Sequence, residues 1–221
     1  GLGSLSSGNA QKEAMLAGGR IHRKIQKRMG SGYRAEVPLK HEVMDDEQEI
    51  VLSVEGRADG IFTENGITVI DEIKGMYTDV ARLEAPIEVH LAQAMCYGYF
   101  YCCDKDLDGI RLQLTYCNLE TEEIRRFQTD RSKEELEQWF SGVVHEYFKW
   151  ARYLYHHELT RDASIRNLEF PYPYREGQRD LVVSVYRTIS RKKRLFIQAP
   201  TGIGKTLSTV FPAVRAIGEG K

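Results

Sequence analysis

Two acids and a lysine gather in the stretch GRADGIFTENGITVIDEIKG, residues 56–75. Asp59 precedes an Asn65-Gly66 pair, and Asp71, Glu72 and Lys74 follow it. Asn-Gly is the strongest short-range hairpin signal, because a two-residue type I′ turn needs positive φ at both central positions. With that pair as the turn, Glu64 faces Ile67 and the register runs outward until Asp59 lies opposite Glu72. Opposed residues have Cβ atoms roughly 5 Å apart, so two carboxylates there repel unless something positive lies between them. Lys74 falls on the face of Glu72, while Asp71 and Ile73 point the other way. Two acids and an ammonium on one spot meet the needs of divalent-cation binding and phosphodiester hydrolysis. The plainer reading is a surface salt-bridge cluster. Against it, Ile61 and Ile70 share the face and draw the charges inward, where an acid pair without a cation costs several kcal/mol. Asp71 replaces Glu72 only if the register slips by one, which flips every side chain.

A second constellation is APTGIGKT, residues 199–206. Gly202 and Gly204 let backbone amides, with that of Thr201, approach phosphates; Lys205 reaches the β and γ groups, and the Thr206 hydroxyl can ligate magnesium at a helix N-terminus. The apolar LFIQA before the loop predicts a strand, and a helix is expected from Lys205. That strand-loop-helix context is what separates an ATP site from a chance glycine turn.

The elements that must position these groups follow from hydrophobic period and turn signals. Ala14, Met15, Ile21, Ile25 and Met29 predict a basic helix over 11–29. Strands are expected at 34–43, 48–63 and 67–74, a helix at 87–101, a strand at 110–116, and a partner through Ile124 and Phe127. Ser132 with Glu135 forms a capping box, opening an amphipathic helix on Leu136, Trp139, Phe140, Val143, Tyr147, Ala151 and Leu154 to about 157. The segment TRDASIRNLEFPYPYREGQ interrupts all periodicity and places a domain boundary near Thr160, dividing the chain into 1–159 and 160–221. A helix at 177–190 precedes LFIQA. The fold class is α/β: a mixed sheet flanked by helices, then a smaller nucleotide-binding segment.

The 221 residues carry 31 basic and 32 acidic side chains, so attraction to nucleic acid must come from local patches. Arg20, Arg23, Lys24, Lys27 and Arg28 form one such run, and Arg187, Arg191, Lys192, Lys193 and Arg194 another; each is by default a solvated face. Cys96, Cys102, Cys103 and Cys117 show no CxxC spacing and read as reduced core thiols. No apolar run reaches the ~18 residues of a membrane span, and the opening GLGSLSSGN lacks the pattern of an export signal. A soluble cytoplasmic protein is expected.

The motifs carry two resemblances. Gly18 to His22, Gly56 to Asp59, Glu72-Ile73-Lys74 and Gln93 to Tyr97 resemble, in order and spacing, the GxxxH, GxxD, (D/E)xK and QxxxY motifs of RecB-like PD-(D/E)xK nucleases. The resemblance implies a restriction-endonuclease-like fold in which His22, Asp59, Glu72 and the Ile73 carbonyl hold Mg²⁺ or Mn²⁺. It implies that Lys74 positions the attacking water and that Gln93 and Tyr97, four apart on a helix, brace the lysine or touch the DNA backbone. His90 is structural or DNA-facing. FPYPYREGQ ahead of APTGIGKT resembles the start of DinG-like, XPD-type superfamily 2 helicases, in which Gln178, with Arg175, would read adenine. Together they imply a nuclease domain joined to the first strand, P-loop and helix of a RecA-like ATP-dependent helicase, acting on single-stranded or forked DNA. With no Walker B strand within these residues, ATP hydrolysis is not expected of this chain alone. The competing expectations are a nuclease fold reduced to gripping DNA and a site-specific endonuclease.

Overall fold

The computed structural model describes residues 6–45 and 50–220. The expected start of the second strand at 48 lies outside them, as do the side chains of Ala14 and Met15. The chain divides into two units, Gly1–Tyr147 and Phe148–Lys221.

The first unit is built on a five-stranded sheet in the order β1-β2-β3-β4-β5, from β1 (Arg34–Met44), β2 (Val51–Glu64), β3 (Ile67–Met76), β4 (Gly109–Asn118) and β5 (Ile124–Ser132). Asn65 and Gly66 both take positive φ, 52° and 81°, so the hairpin turn forms where the sequence places it. The pairing runs from Glu64↔Ile67 to Gly60↔Asp71, in the expected register. All neighbours are antiparallel except β3 and β4. A parallel pair cannot be joined by a tight turn. The crossover is α2 (Glu88–Lys105), whose Gly98 lets Leu112 and Ile110 of β4 approach its backbone. Helix α1 (Ser6–Arg28) packs Ile21 and Ile25 against Ile73 and Cys117. Since β3 residues alternate in direction, α1 lies on the Ile73 face. The cysteines fall in α2 and β4, all free, with Cys102 and Cys117 buried.

Helix α3 (Lys133–Arg166) opens with the capping box: the Glu135 amide donates to Ser132 Oγ at 3.1 Å, and the Ser132 amide to Glu135 Oε2 at 2.9 Å. It runs past 157 and through the expected boundary near Thr160 to Arg166, and the division between units falls inside it. Its buried ridge is Leu136, Phe140, Val144 and Phe148, at intervals of four; Val143, Tyr147 and Leu154 of the expected stripe are exposed.

In the second unit α4 (Gln178–Ser190) packs on α5 (Lys205–Ile217). Arg215 donates to the carbonyl oxygens of Ile165, Arg166 and Leu168, satisfying the open end of α3. The expected LFIQA strand does not form. Among the described residues nothing pairs with it, and Phe196 is 95% exposed. A strand needs a neighbour for its amides and carbonyls, and an apolar parallel strand needs cover on both faces.

Candidate functional site

The site sits where β2 and β3 part. Their ladder ends at Gly60↔Asp71, one step short of Asp59 and Glu72. The Asp59 carboxylate fills the fork: Oδ2 accepts the Ile73 amide hydrogen at 2.7 Å and Oδ1 lies 3.2 Å from His22 Nδ1. One helical turn beyond His22, Gln26 Nε2 donates to the Asp59 carbonyl at 2.9 Å. Helix α1 therefore grips Asp59 by side chain and by backbone.

Strict alternation along β2 fails at this point. A Cβ on Gly56 would meet the Tyr97 hydroxyl at 2.5 Å, on the α2 side of the sheet. A Cβ on Gly60 would meet the Tyr33 ring at 1.8 Å, and Tyr33 serves Asp71, which points away from Glu72. A regular strand keeps residues four apart on one face. The flip coincides with a gap in the β1–β2 ladder between Ala35↔Gly60 and Val37↔Ala58, where Glu36 is left-handed at φ 55°. Asp59 reaches its neighbours from this irregular stretch, not from an ideal pleat.

Glu72 is 2% exposed. Its Oε1 accepts from Lys74 Nζ at 2.6 Å, and its Oε2 is buried with no hydrogen-bond partner among the described residues. Burial and then the Asp59 charge push its pKa up to about 7, against the pull of Lys74. The His22 pKa is also raised, by the Asp59 hydrogen bond acting against burial. Lys74 Nζ donates in addition to Gln93 Oε1 at 3.0 Å, and Gln93 Nε2 to the Tyr97 hydroxyl at 3.2 Å. Glu72, Lys74, Gln93 and Tyr97 thus form one chain of contacts, in which Gln93 braces the lysine.

Behind this face lies a polar network that sequence reasoning missed. Asp71 is fully buried and accepts from the Tyr33 hydroxyl at 2.9 Å and from Thr115 Oγ1 at 2.6 Å; burial raises its pKa. Gln113 Nε2 donates to Thr115 Oγ1 at 3.3 Å and receives Gln128 Nε2 on its Oε1 at 2.7 Å. Nothing in the spacing of those residues announces it, whereas Gln26 could have been found at one turn from His22.

Among the described residues no three His, Cys, Asp or Glu side chains gather closely enough to hold a metal ion as they stand. The donor chemistry nonetheless fits a hard cation. An orphaned buried carboxylate oxygen beside a second carboxylate is a group in want of positive charge. His22 and Asp59 meanwhile satisfy each other.

In the second unit Gly202 and Gly204 are left-handed, at φ 89° and 80°, and Gly204 precedes the first residue of α5. Gln178 is buried beneath the loop, its Nε2 2.6 Å from where a Gly204 Cβ would stand. Its Oε1 accepts the Arg175 amide hydrogen at 3.0 Å, and the Arg175 guanidinium donates to the Gly202 carbonyl. Lys205 Nζ donates to the Ala199 and Pro200 carbonyls at 3.0 and 2.9 Å. Thr201 and Thr206 are exposed.

No protein-family model matches the chain. Over 47 residues it is 45% identical to the probable ATP-dependent helicase MJ0942 of Methanocaldococcus jannaschii, a match covering 21% of this chain and 7% of that protein. A crystal structure of a protein designated SSO0001 overlaps 59% of each chain at 18% identity and a TM-score of 0.44. No helix among the described residues is long and apolar enough to cross a membrane.

Proposed function

We propose that this chain is a metal-dependent DNA nuclease domain of the PD-(D/E)xK type, with a restriction-endonuclease-like sheet, joined to the beginning of an ATP-dependent DNA helicase. The observation that carries the nuclease half is the partnerless Glu72 Oε2, buried beside Asp59 and next to Lys74. His22, Asp59, Glu72 and the Ile73 carbonyl would hold Mg²⁺ or Mn²⁺. Such an ion, when bound, supplies charge stabilisation to a phosphoryl group under in-line attack. Lys74, held between Glu72 and Gln93, presents its ammonium where negative charge develops on the phosphate oxygens and orients the attacking water. Gln93 and Tyr97 keep that ammonium in place. His22 and Gln26 hold Asp59 in the fork.

The helicase half rests on the left-handed glycines, on Gln178 packed beneath them, and on the segment shared with a helicase described as ATP-dependent. Residues 160–221 would contribute Thr201, Gly202, Gly204, Lys205 and Thr206 to ATP phosphates, with Arg175 and Gln178 near the base. Lys205 would exchange two loop carbonyls for phosphate oxygens. The partner is DNA, single-stranded or forked, in repair or processing in the cytoplasm.

A second reading, in which the nuclease fold only grips DNA, is favoured by the lack of a preassembled cluster of three ligating side chains among the described residues. The two readings part on one assay. End-labelled single- and double-stranded DNA, incubated with the chain in Mn²⁺ or EDTA, is expected to be cut only in Mn²⁺. Lys74→Ala should cut at least ~100-fold more slowly while still binding DNA. Calorimetric titration should show one Mn²⁺ site that Asp59→Ala loses. Binding of DNA with neither cutting nor Mn²⁺ uptake would establish the grip.

A further inference from the structure

Burial, and then the charge of Lys74, lower the pKa of His90, a residue that has no part in the chemistry above. It stands three residues before Gln93 and seven before Tyr97 on α2, spacings that put all three on one helix face. Its ring is 5.7 Å from that of Tyr116, the register partner of Lys74 on the neighbouring strand.

Tyr116 decides which imidazole nitrogen carries the proton. The phenol is fully buried, and its oxygen accepts the Ile87 amide hydrogen at 2.9 Å. That oxygen is also 3.2 Å from His90 Nδ1. Among the described residues Nδ1 is the one acceptor in contact with the hydroxyl. Were Nδ1 protonated, the buried hydroxyl hydrogen would have no partner, a loss comparable to breaking a buried hydrogen bond. The hydroxyl therefore donates to Nδ1, and the proton of the neutral ring sits on Nε2. No partner for Nε2 is present among the described residues.

We propose that the His90 Nε2–H is an uncharged hydrogen-bond donor to a non-bridging phosphate oxygen of DNA beside Lys74, locked in that tautomer by Tyr116. The proposal rests on the nuclease reading for the identity of its ligand. It differs from the usual basic-residue contact to phosphate in a measurable way. A cation that contacts phosphate releases counterions, which steepens the salt dependence of binding by about 0.7 per contact on single strands. A neutral donor adds affinity and leaves the slope alone.

Binding of a fluorescein-labelled single-stranded oligonucleotide, measured by anisotropy in Ca²⁺ across a salt series, tests this. His90→Ala and His90→Asn are expected to bind roughly fivefold more weakly with an unchanged salt slope. His90→Gln, whose amide nitrogen reaches the place of Nε2, should keep most of the affinity. Imidazole ¹⁵N spectra of the unsubstituted chain should show the Nε2–H tautomer at His90, giving way to a mixture in Tyr116→Phe. The spectra decide the matter even if the alanine variant unfolds. An Nδ1–H or doubly protonated ring, wild-type affinity in His90→Ala, a slope reduced by about 0.7 in His90→Ala, or no DNA binding by the unsubstituted chain would each overturn the proposal. Cutting in Mn²⁺ is read separately on the same samples. A chain that binds DNA without cutting it sinks the nuclease reading alone, because binding and spectra still decide the role of His90.

Discussion

At the scale of single residues the decisive group is Glu72. One oxygen is paired with Lys74 and the other with nothing among the described residues, in a setting that also holds Asp59. A buried charge facing a like charge destabilises the cation-free fold. Glu72→Gln removes that repulsion and keeps the shape, so in EDTA the variant should be about 1 kcal/mol more stable, which for a chain of this size raises the midpoint by roughly 2–4 °C. Added Mn²⁺ should raise the melting temperature of the unsubstituted chain by mass action and leave Glu72→Gln unmoved. Thermal scans with and without Mn²⁺ check both halves. A variant that melts lower in EDTA and still responds to Mn²⁺ would show that Glu72 is a structural residue.

At the scale of elements, two glycines of β2 make opposite demands. Gly60 faces Tyr33, which is pinned by Asp71 and stacked on Phe62 at 5.7 Å, so an added methyl must break the buried network. Gly60→Ala should cost about 1–3 kcal/mol in urea unfolding. Gly56 faces Tyr97, the far end of the chain that braces Lys74. Gly56→Ala should spare most of the stability and the Mn²⁺ affinity but slow DNA cleavage. Equal effects of the two substitutions on stability and on cleavage would contradict this division. The contrast also marks how far the sequence was legible. Asn65-Gly66 announced the turn and the register, since only a few residues tolerate paired positive φ. Gln93 and Tyr97 were legible as a pair at helical spacing. The flip at Asp59 was not, because it accompanies a left-handed Glu36 on another strand, and no local pattern around Asp59 signals that partner. The Asp71 network was hidden for a related reason: Asp71, Thr115, Gln113 and Gln128 meet through β3–β4 and β4–β5 pairing and Tyr33 joins them from just before β1, and single-sequence periodicity carries no information about strand order.

The same tertiary origin explains His41, which reads in the sequence as one more polar residue of β1. In the fold it stacks on Phe100 at 5.3 Å and meets Tyr99 and Phe140 edge-on. Burial lowers its pKa below the ordinary imidazole value. The unfolded chain then binds the proton more readily, so His41 contributes stability that is complete above about pH 6.5 and lost as pH falls through the lower folded value. His41→Phe should flatten the decline in melting temperature between pH 7.5 and 5.5 relative to the unsubstituted chain. Parallel curves would place the titration elsewhere.

At the scale of the whole molecule, the chain divides into two units, and each holds one of the two proposed sites. The strand before the glycine loop was the one element the sequence announced and the structure withheld, for want of a partner strand among the described residues. The loop is nonetheless bent by its own glycines and fixed by Arg175 and Gln178 from within its own unit. Ligand binding at one site should therefore be indifferent to substitution at the other, because each site is built from side chains of its own unit and independent sites contribute additively. Asp59→Ala should abolish Mn²⁺ uptake and leave the binding of a fluorescent ATP analogue unchanged within about twofold, the tolerance of additivity. Lys205→Ala should do the reverse, since the hydrogen bonds of its ammonium are to carbonyls of its own loop. The double variant should lose both and unfold at the sum of the single shifts. Loss of both ligands from either single substitution would mean that the two sites share one cooperative structure, and that the two units do not act as separate parts.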